Sequence, residues 1–259
     1  MEPGSGLRRS PWPAVGLVSA IAVTLAVLVA VLGGLDGFTP HFGTAPSNLR
    51  SLDRSAALGE LTAGTVRLDY GAARFTIRAE NLGADLYRAH FEVSQDVNAT
   101  ADVDRASGTV AVKLNTLNRP CVFGCRRTAR LDLALNDRLP WRLDFSGGAC
   151  DGTLDLASLK LSGLDLSAGA TNLSISLPSP GGTVPLRFDG GASSLHLQAP
   201  AATQVRIEID AGSSSLRVNG SRSSAFGSGL SYESDGYSGG ADRYQLSASG
   251  GAADLSWNS

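Results

Sequence analysis

AGATNLSISLPSPGGTVPLRFDGGASSLHLQAPAATQVRIEIDAGSSSLRV, residues 168–218, holds the pattern that decides the fold. A glycine with small neighbours opens a short run in which every second residue is apolar, and the unit then recurs. Strict alternation sends successive side chains to opposite faces of a strand. Leu173, Ile175, Leu177, Val184, Leu186, Phe188, Leu195, Leu197, Val205, Ile207, Ile209, Leu216 and Val218 therefore share one face and form the predicted core. Ser174, Ser176, Arg187, His196, Arg206, Glu208 and Arg217 fall on the opposite, wet face.

The same unit lies outside this stretch, as GGACDGTLDL (147–156) and GGAADLSW (250–257). Leu154, Leu173, Leu195, Leu216 and Leu255 follow at spacings of 19, 22, 21 and 39 residues, the last close to two periods. Repeats of this length argue for a stacked array, because one unit cannot bury its apolar face alone. Glycine at each corner, beside Ala or Ser, lets backbones approach at the interstrand distance of about 4.8 Å. The expected fold is all-β: a parallel β-solenoid over 111–259, with a β-sandwich of hairpins as the alternative. Pro185 lacks a ladder donor and marks an edge or a bulge. Residues 65–94, TVRLDYGAARFTIRAENLGADLYRAHFEVS, also alternate, and 51–110 is the expected cap for one open end.

Between Arg9 and Asp36 there is no charged residue, and AVGLVSAIAVTLAVLVAVL (14–32) is almost wholly apolar. As a helix, residues 13–35 would reach roughly 34 Å, enough for a hydrocarbon core of about 30 Å. A cleaved signal peptide is the alternative, but its apolar region runs about 7 to 15 residues and ends at a small-residue site. Here Ala20-Ile21-Ala22 falls inside the run, which favours an uncleaved anchor. Arg8 and Arg9 precede the span and Gly33, Gly34 and Asp36 follow it, so the positive-inside rule puts 1–12 in the cytoplasm. Residues 36–50 read as a linker, and everything beyond it is expected outside the membrane.

The chain has 259 residues, 18% of them charged, with 31 Gly and a formal net charge of -2. With no basic surplus, nucleic acid is not an expected partner. Cys121 and Cys125, in NRPCVFGCRR, could close a short loop in an oxidising compartment; unbridged thiols are the alternative, and Cys150 is left over. Without a nearby histidine the cysteines lack the ligands of a structural zinc site, so no metal or cofactor is expected. His41, His90 and His196 show no ligand or catalytic spacing. Gly236-Tyr237-Ser238-Gly239-Gly240 fits G-x-S-x-G, yet an alternating stretch follows it where a nucleophile elbow needs a helix, so it reads as a surface turn. Asp132, Asp137, Asp144, Asp151, Asp155 and Asp165 could supply paired carboxylates on successive coils, but they also fit outward strand positions. No catalytic residue is expected.

NDRLPWRLDFSGGACDGTLDLASLKLSGLDLSAGATNLSISLP, GGASSLHLQAP and the tail SYESDGYSGGADRYQLSASGGAADLSW together resemble the toast-rack domain of bacterial cell-envelope-stress membrane proteins, the LiaF-like, cell-wall-active-antibiotic-response group. The likeness spans roughly Arg130 to Trp257. It implies a β-solenoid-like domain tethered to the membrane and acting by protein contacts, with no enzymatic residues to carry over. One membrane segment replaces the several of the LiaF group, which weakens the case for direct inhibition of a sensor kinase. The expected role is a non-enzymatic, single-pass interaction or sensor module of the bacterial cell membrane, with an envelope protein partner and possible self-association through a solenoid edge. The alternatives are an adhesin-like module that binds cell wall and a β-helix enzyme acting on polysaccharide.

Overall fold

Among the described residues the alternating apolar stretches are strands. The computed structural model describes residues 49–69, 74–116, 129–147, 149–226, 229–250 and 252–259, all within the unit Ser47–Ser259. The apolar span 13–35 and the pair Cys121 and Cys125 lie outside the described residues. Among the described residues no helix is long and apolar enough to cross a membrane.

In chain order the strands are β1 Leu49–Ala57, β2 Gly64–Asp69, β3 Arg74–Glu80, β4 Asp85–Ser94, β5 Val97–Asp104, β6 Thr109–Thr116, β7 Ala129–Asn136, β8 Pro140–Phe145, β9 Ala149–Asp155, β10 Lys160–Leu166, β11 Ala170–Ser176, β12 Thr183–Phe188, β13 Ala192–Gln198, β14 Gln204–Ile209, β15 Gly212–Val218, β16 Ser221–Phe226, β17 Leu230–Glu233, β18 Arg243–Ala248 and β19 Ala252–Asn258. They form a ten-stranded sheet, β1-β4-β7-β3-β9-β11-β13-β19-β15-β16, and a nine-stranded one, β17-β14-β18-β12-β10-β8-β2-β6-β5. From β8 to β15 the chain alternates between the sheets, each strand pairing parallel with its neighbours in the stack. Two sheets face one another as in a sandwich, but crossovers join them where a sandwich would use hairpins.

Spatial order departs from chain order at both ends. The pair β2 and β3 lies between β6–β7 and β8–β9, while β18 and β19 are inserted between β12–β13 and β14–β15. Antiparallel strands close the stack: β4 beside β7, β1 beside β4 and β5 beside β6 at one end, β16 and β17 at the other.

All thirteen predicted core residues are buried, each at 5% exposure or less, within one apolar core between the sheets. Fully burying such a side chain is worth about 1.5–3 kcal/mol, so the stacking is driven by the apolar faces. Register corrects the sequence alignment of the repeats. Leu154 pairs with Ile175, and Leu173 faces Gly152. A Cβ at Gly152 would lie 2.4 Å from Phe75 Cζ and 2.6 Å from Leu173 Cδ1, so those larger side chains fill the glycine's place in the core. Leu255 sits between Leu195 and Leu216, not beyond them. Pro185 lies in an interior strand; β10 carries a register irregularity between Leu161 and Gly163, and its ladder with β12 begins only at Leu186. Pro185 thus precedes the first partner in the ladder with β10 and stands opposite Gln245 in the unbroken ladder with β18.

Candidate functional site

Strand register lines up the outward side chains of the ten-stranded sheet in rows that cross its strands. One row runs Asp53, His90, Asp132, Thr76, Thr153, Ser174, His196, Ser256 and Arg217. Its first members make a compact polar cluster. Asp53 Oδ1 lies 2.6 Å from His90 Nδ1, and Ser51 Oγ lies 3.4 Å from His90 Nε2. Beside them is a shallow hollow of about 340 Å³ whose lining includes Arg54, Arg78, Arg88 and Asp132.

Carboxylate, imidazole and hydroxyl stand in the order of a proton relay. A relay that drives acyl transfer also needs donors aimed at an oxyanion in a water-excluded site. This cluster is open to solvent, with the His90 side chain 43% and the Asp53 side chain 82% exposed. What it does is bond the edge strand β1 to β4. The sequence held half the signal, Ser51 and Asp53 on one face; the antiparallel pairing that brings His90 opposite Asp53 is tertiary.

The middle of the same sheet is different in character. Outward positions on β9, β11, β13 and β19 are Asp151, Thr153, Asp155, Asn172, Ser174, Ser176, Ser194, His196, Gln198, Asp254, Ser256 and Asn258, without a lysine or arginine. His196 joins two strands, its Nε2 2.9 Å from Ser194 Oγ and its Nδ1 2.7 Å from Ser256 Oγ. Arg74 and Arg217 flank the patch, 3.8 Å from Asp151 and 3.9 Å from Asp254. The result is an array of hydroxyl, amide and carboxylate groups, repeated at the interstrand spacing of about 4.8 Å, with a shallow hollow of about 310 Å³ over Asp151, Thr153, Asn172 and Ser174.

The six aspartates singled out in the sequence do not gather. Asp132, Asp151 and Asp155 lie on the ten-stranded sheet, Asp144 and Asp165 on the nine-stranded one, and Asp137 in the turn after β7. Asp144 and Asp165 are register neighbours, but Arg142 and Arg187 both pair with the Asp165 carboxylate. Its charge is thus committed to ion pairs, which is the solvated-face arrangement. Among the described residues no group of three or more His, Cys, Asp or Glu could hold a metal ion.

Gly236–Gly240 forms a turn around a three-residue 3-10 helix, Tyr237–Gly239, and leads into β18. Gly236 has φ 77, a left-handed conformation that costs a glycine little. The Tyr237 ring is buried between the guanidiniums of Arg206 and Arg243, 4.7 and 4.8 Å from its centroid. Ser238 donates to Glu233 Oε1 at 3.2 Å, and Glu233 accepts two bonds from Arg206. Hydrogen bonding from Arg206 holds the Glu233 carboxyl below its ordinary range. Ser238 is part of a pin that fixes this turn.

The family described as the N-terminal domain of toast_rack, DUF2154, matches residues 45–198. Among solved structures the chain is similar to one from Clostridium sporogenes ATCC 15579 described as a "putative cell adhesion protein", at 16% identity and a TM-score of 0.59, covering 81% of this chain and 99% of that one. A "putative adhesin" from Parabacteroides distasonis ATCC 8503 matches at 9% identity and a TM-score of 0.28, covering 81% and 98%. No curated protein is significantly similar.

Proposed function

This chain belongs to the toast-rack family, and on that premise we propose that it is a membrane-anchored, extracytoplasmic module that works by binding and not by catalysis. The observation that carries this reading is the surface of the β stack. Among the described residues its outward carboxylates are bonded to guanidiniums, as at Asp165 and Glu233, or spread over open faces where no acid and base converge on a closed site. Such faces suit contact with another macromolecule. The apolar span 13–35, with Arg8 and Arg9 before it, supports an anchor and an outward domain. A protein of the envelope is the proposed partner, and a part in the envelope-stress response is the role that the family likeness suggests.

A photo-crosslinking residue at Ser174, in the middle of the polar patch, tests the reading in intact membranes. A discrete crosslinked protein neighbour is the expected result. Complete absence of crosslinks from Ser174 and from Glu208 on the other sheet would overturn it.

The second reading, a module that binds cell wall, is favoured by one observation: the central patch is dense in short hydrogen-bonding groups around a shallow hollow of about 310 Å³, which suits contact with polyhydroxylated chains. Co-sedimentation with purified cell wall, lost in an Asn172→Ala/Ser194→Ala variant, would establish it over protein contact.

A further inference from the structure

The pair β18–β19 occupies a slot that the chain builds before it can fill it. β14–β15 follow β12–β13 in sequence but do not stack on them; a gap one strand wide is left in both sheets. Arg243–Asn258 closes it, parallel to its neighbours on both sides, with Leu246 between Leu186 and Ile207 and Trp257 between Leu197 and Val218. Among the described residues, the buried side-chain polar atoms without a hydrogen-bond partner are Gln204 Oε1, Ser215 Oγ, Asp254 Oδ1 and Trp257 Nε1. All four lie on β19 or on the strands that wall the slot, Trp257 in the core and the other three at its polar faces and rim, so the unsatisfied groups gather along this seam. Ser234–Asp242, the link into the slot, has three glycines and is held by the Arg206, Glu233 and Tyr237 pin.

We propose that the slot is a strand-acceptor site whose second occupant is the β18–β19 pair of another copy of this chain, giving a strand-exchanged dimer. The contacts inside the slot are the same in either case, so only the link separates closed from exchanged forms. Nine extended residues span about 30 Å, enough to leave one stack and enter another. Closure within one chain benefits from an effective concentration of roughly millimolar, so dilute protein closes on itself. Exchange wins where copies are crowded or the link is shortened. The β1 edge suits self-association less well, since it carries Arg50 and Arg54 opposite the buried Val93 and Ala89, and charged residues on an edge protect it from pairing.

Arg187 on β12 and Ser247 on β18 are register neighbours, and adjacent strands stand at a Cα separation that a disulfide spans. In the full chain with Cys121, Cys125 and Cys150 replaced by serine, one version carries Arg187→Cys and another Ser247→Cys. Refolded together and oxidised, they should yield a disulfide-linked heterodimer whose fraction rises with concentration up to roughly millimolar. Removing Gly239 and Gly240 should lower the concentration for half exchange by about tenfold or more by weakening closure in cis. The version with both cysteines in one chain reports correct folding by closing internally when dilute. If it closes internally while the mixed pair gives no heterodimer at any concentration, with the full or the shortened link, the proposal is overturned.

Discussion

Gly152 shows how one residue type can be dictated from across a sheet. In the sequence it interrupts an alternating strand; in the fold its missing side chain admits Phe75 and Leu173. Gly152→Ala forces those side chains to shift and should cost about 1–3 kcal/mol, read as a lower midpoint in urea at unchanged slope. Tyr244 is a second case. Its hydroxyl donates to the buried carbonyl of Pro178 at 2.7 Å, and burial raises the phenol above its ordinary value of 10.0. A raised pKa stabilises the fold fully below the ordinary value, and that contribution is lost as pH rises from 10.0 through the folded value. Alkaline unfolding should therefore begin above about pH 10, as the unfolded phenol starts to ionise. Tyr244→Phe should reduce this alkaline limb, leaving the part due to the buried Tyr87, and leave the Pro178 carbonyl unpaired, at a cost of about 1–3 kcal/mol near neutral pH, measured by thermal melting. Neither role was legible in the sequence, because both depend on residues far along the chain.

At the scale of elements, strands were legible from alternation, but their partners were not. The solvent-exposed pairs of β1 illustrate the consequence. An exposed side-chain contact of this kind is worth at most about 1 kcal/mol, so His90→Ala should barely move the global melting point. It should instead speed amide exchange in Leu49–Ala57 while β9, β11 and β13 stay protected. The turn before β18 makes a pH prediction. The Glu233 carboxyl, depressed by Arg206, contributes fully above its ordinary value of 4.5 and less as pH falls through its lower folded value. Protection of the Gly236–Gly240 amides, meaning exchange measured against the intrinsic rate at each pH, should thus fall in acid, and Glu233→Gln should show that lower protection already at pH 7.

At the largest scale, the unit Ser47–Ser259 is a stack whose terminal coils are sewn in out of order. Deleting residues 243–259 opens a strand-wide gap in both sheets and exposes the walls on either side. Such a truncation should lose cooperative unfolding and bind a hydrophobic dye, whereas a chain starting at Ser47 should melt as sharply as the full protein. The amino-acid sequence by itself determined that the domain is all-β, which residues form its core and which face water, and that the units are stacked in parallel, because alternation and glycine corners are local properties of the chain. It also carried the toast-rack likeness. It misjudged the order of the units: a spacing of 39 residues between Leu216 and Leu255 looks like two periods onward, whereas the last coil turns back to lie between its predecessors. It left Ser51, Asp53 and His90 as unrelated residues. Only the tertiary structure decided these points. Strand pairing is specified by which apolar faces meet across the core, and every coil in this stack offers its neighbours nearly the same face, so the choice among them is made by the assembled whole.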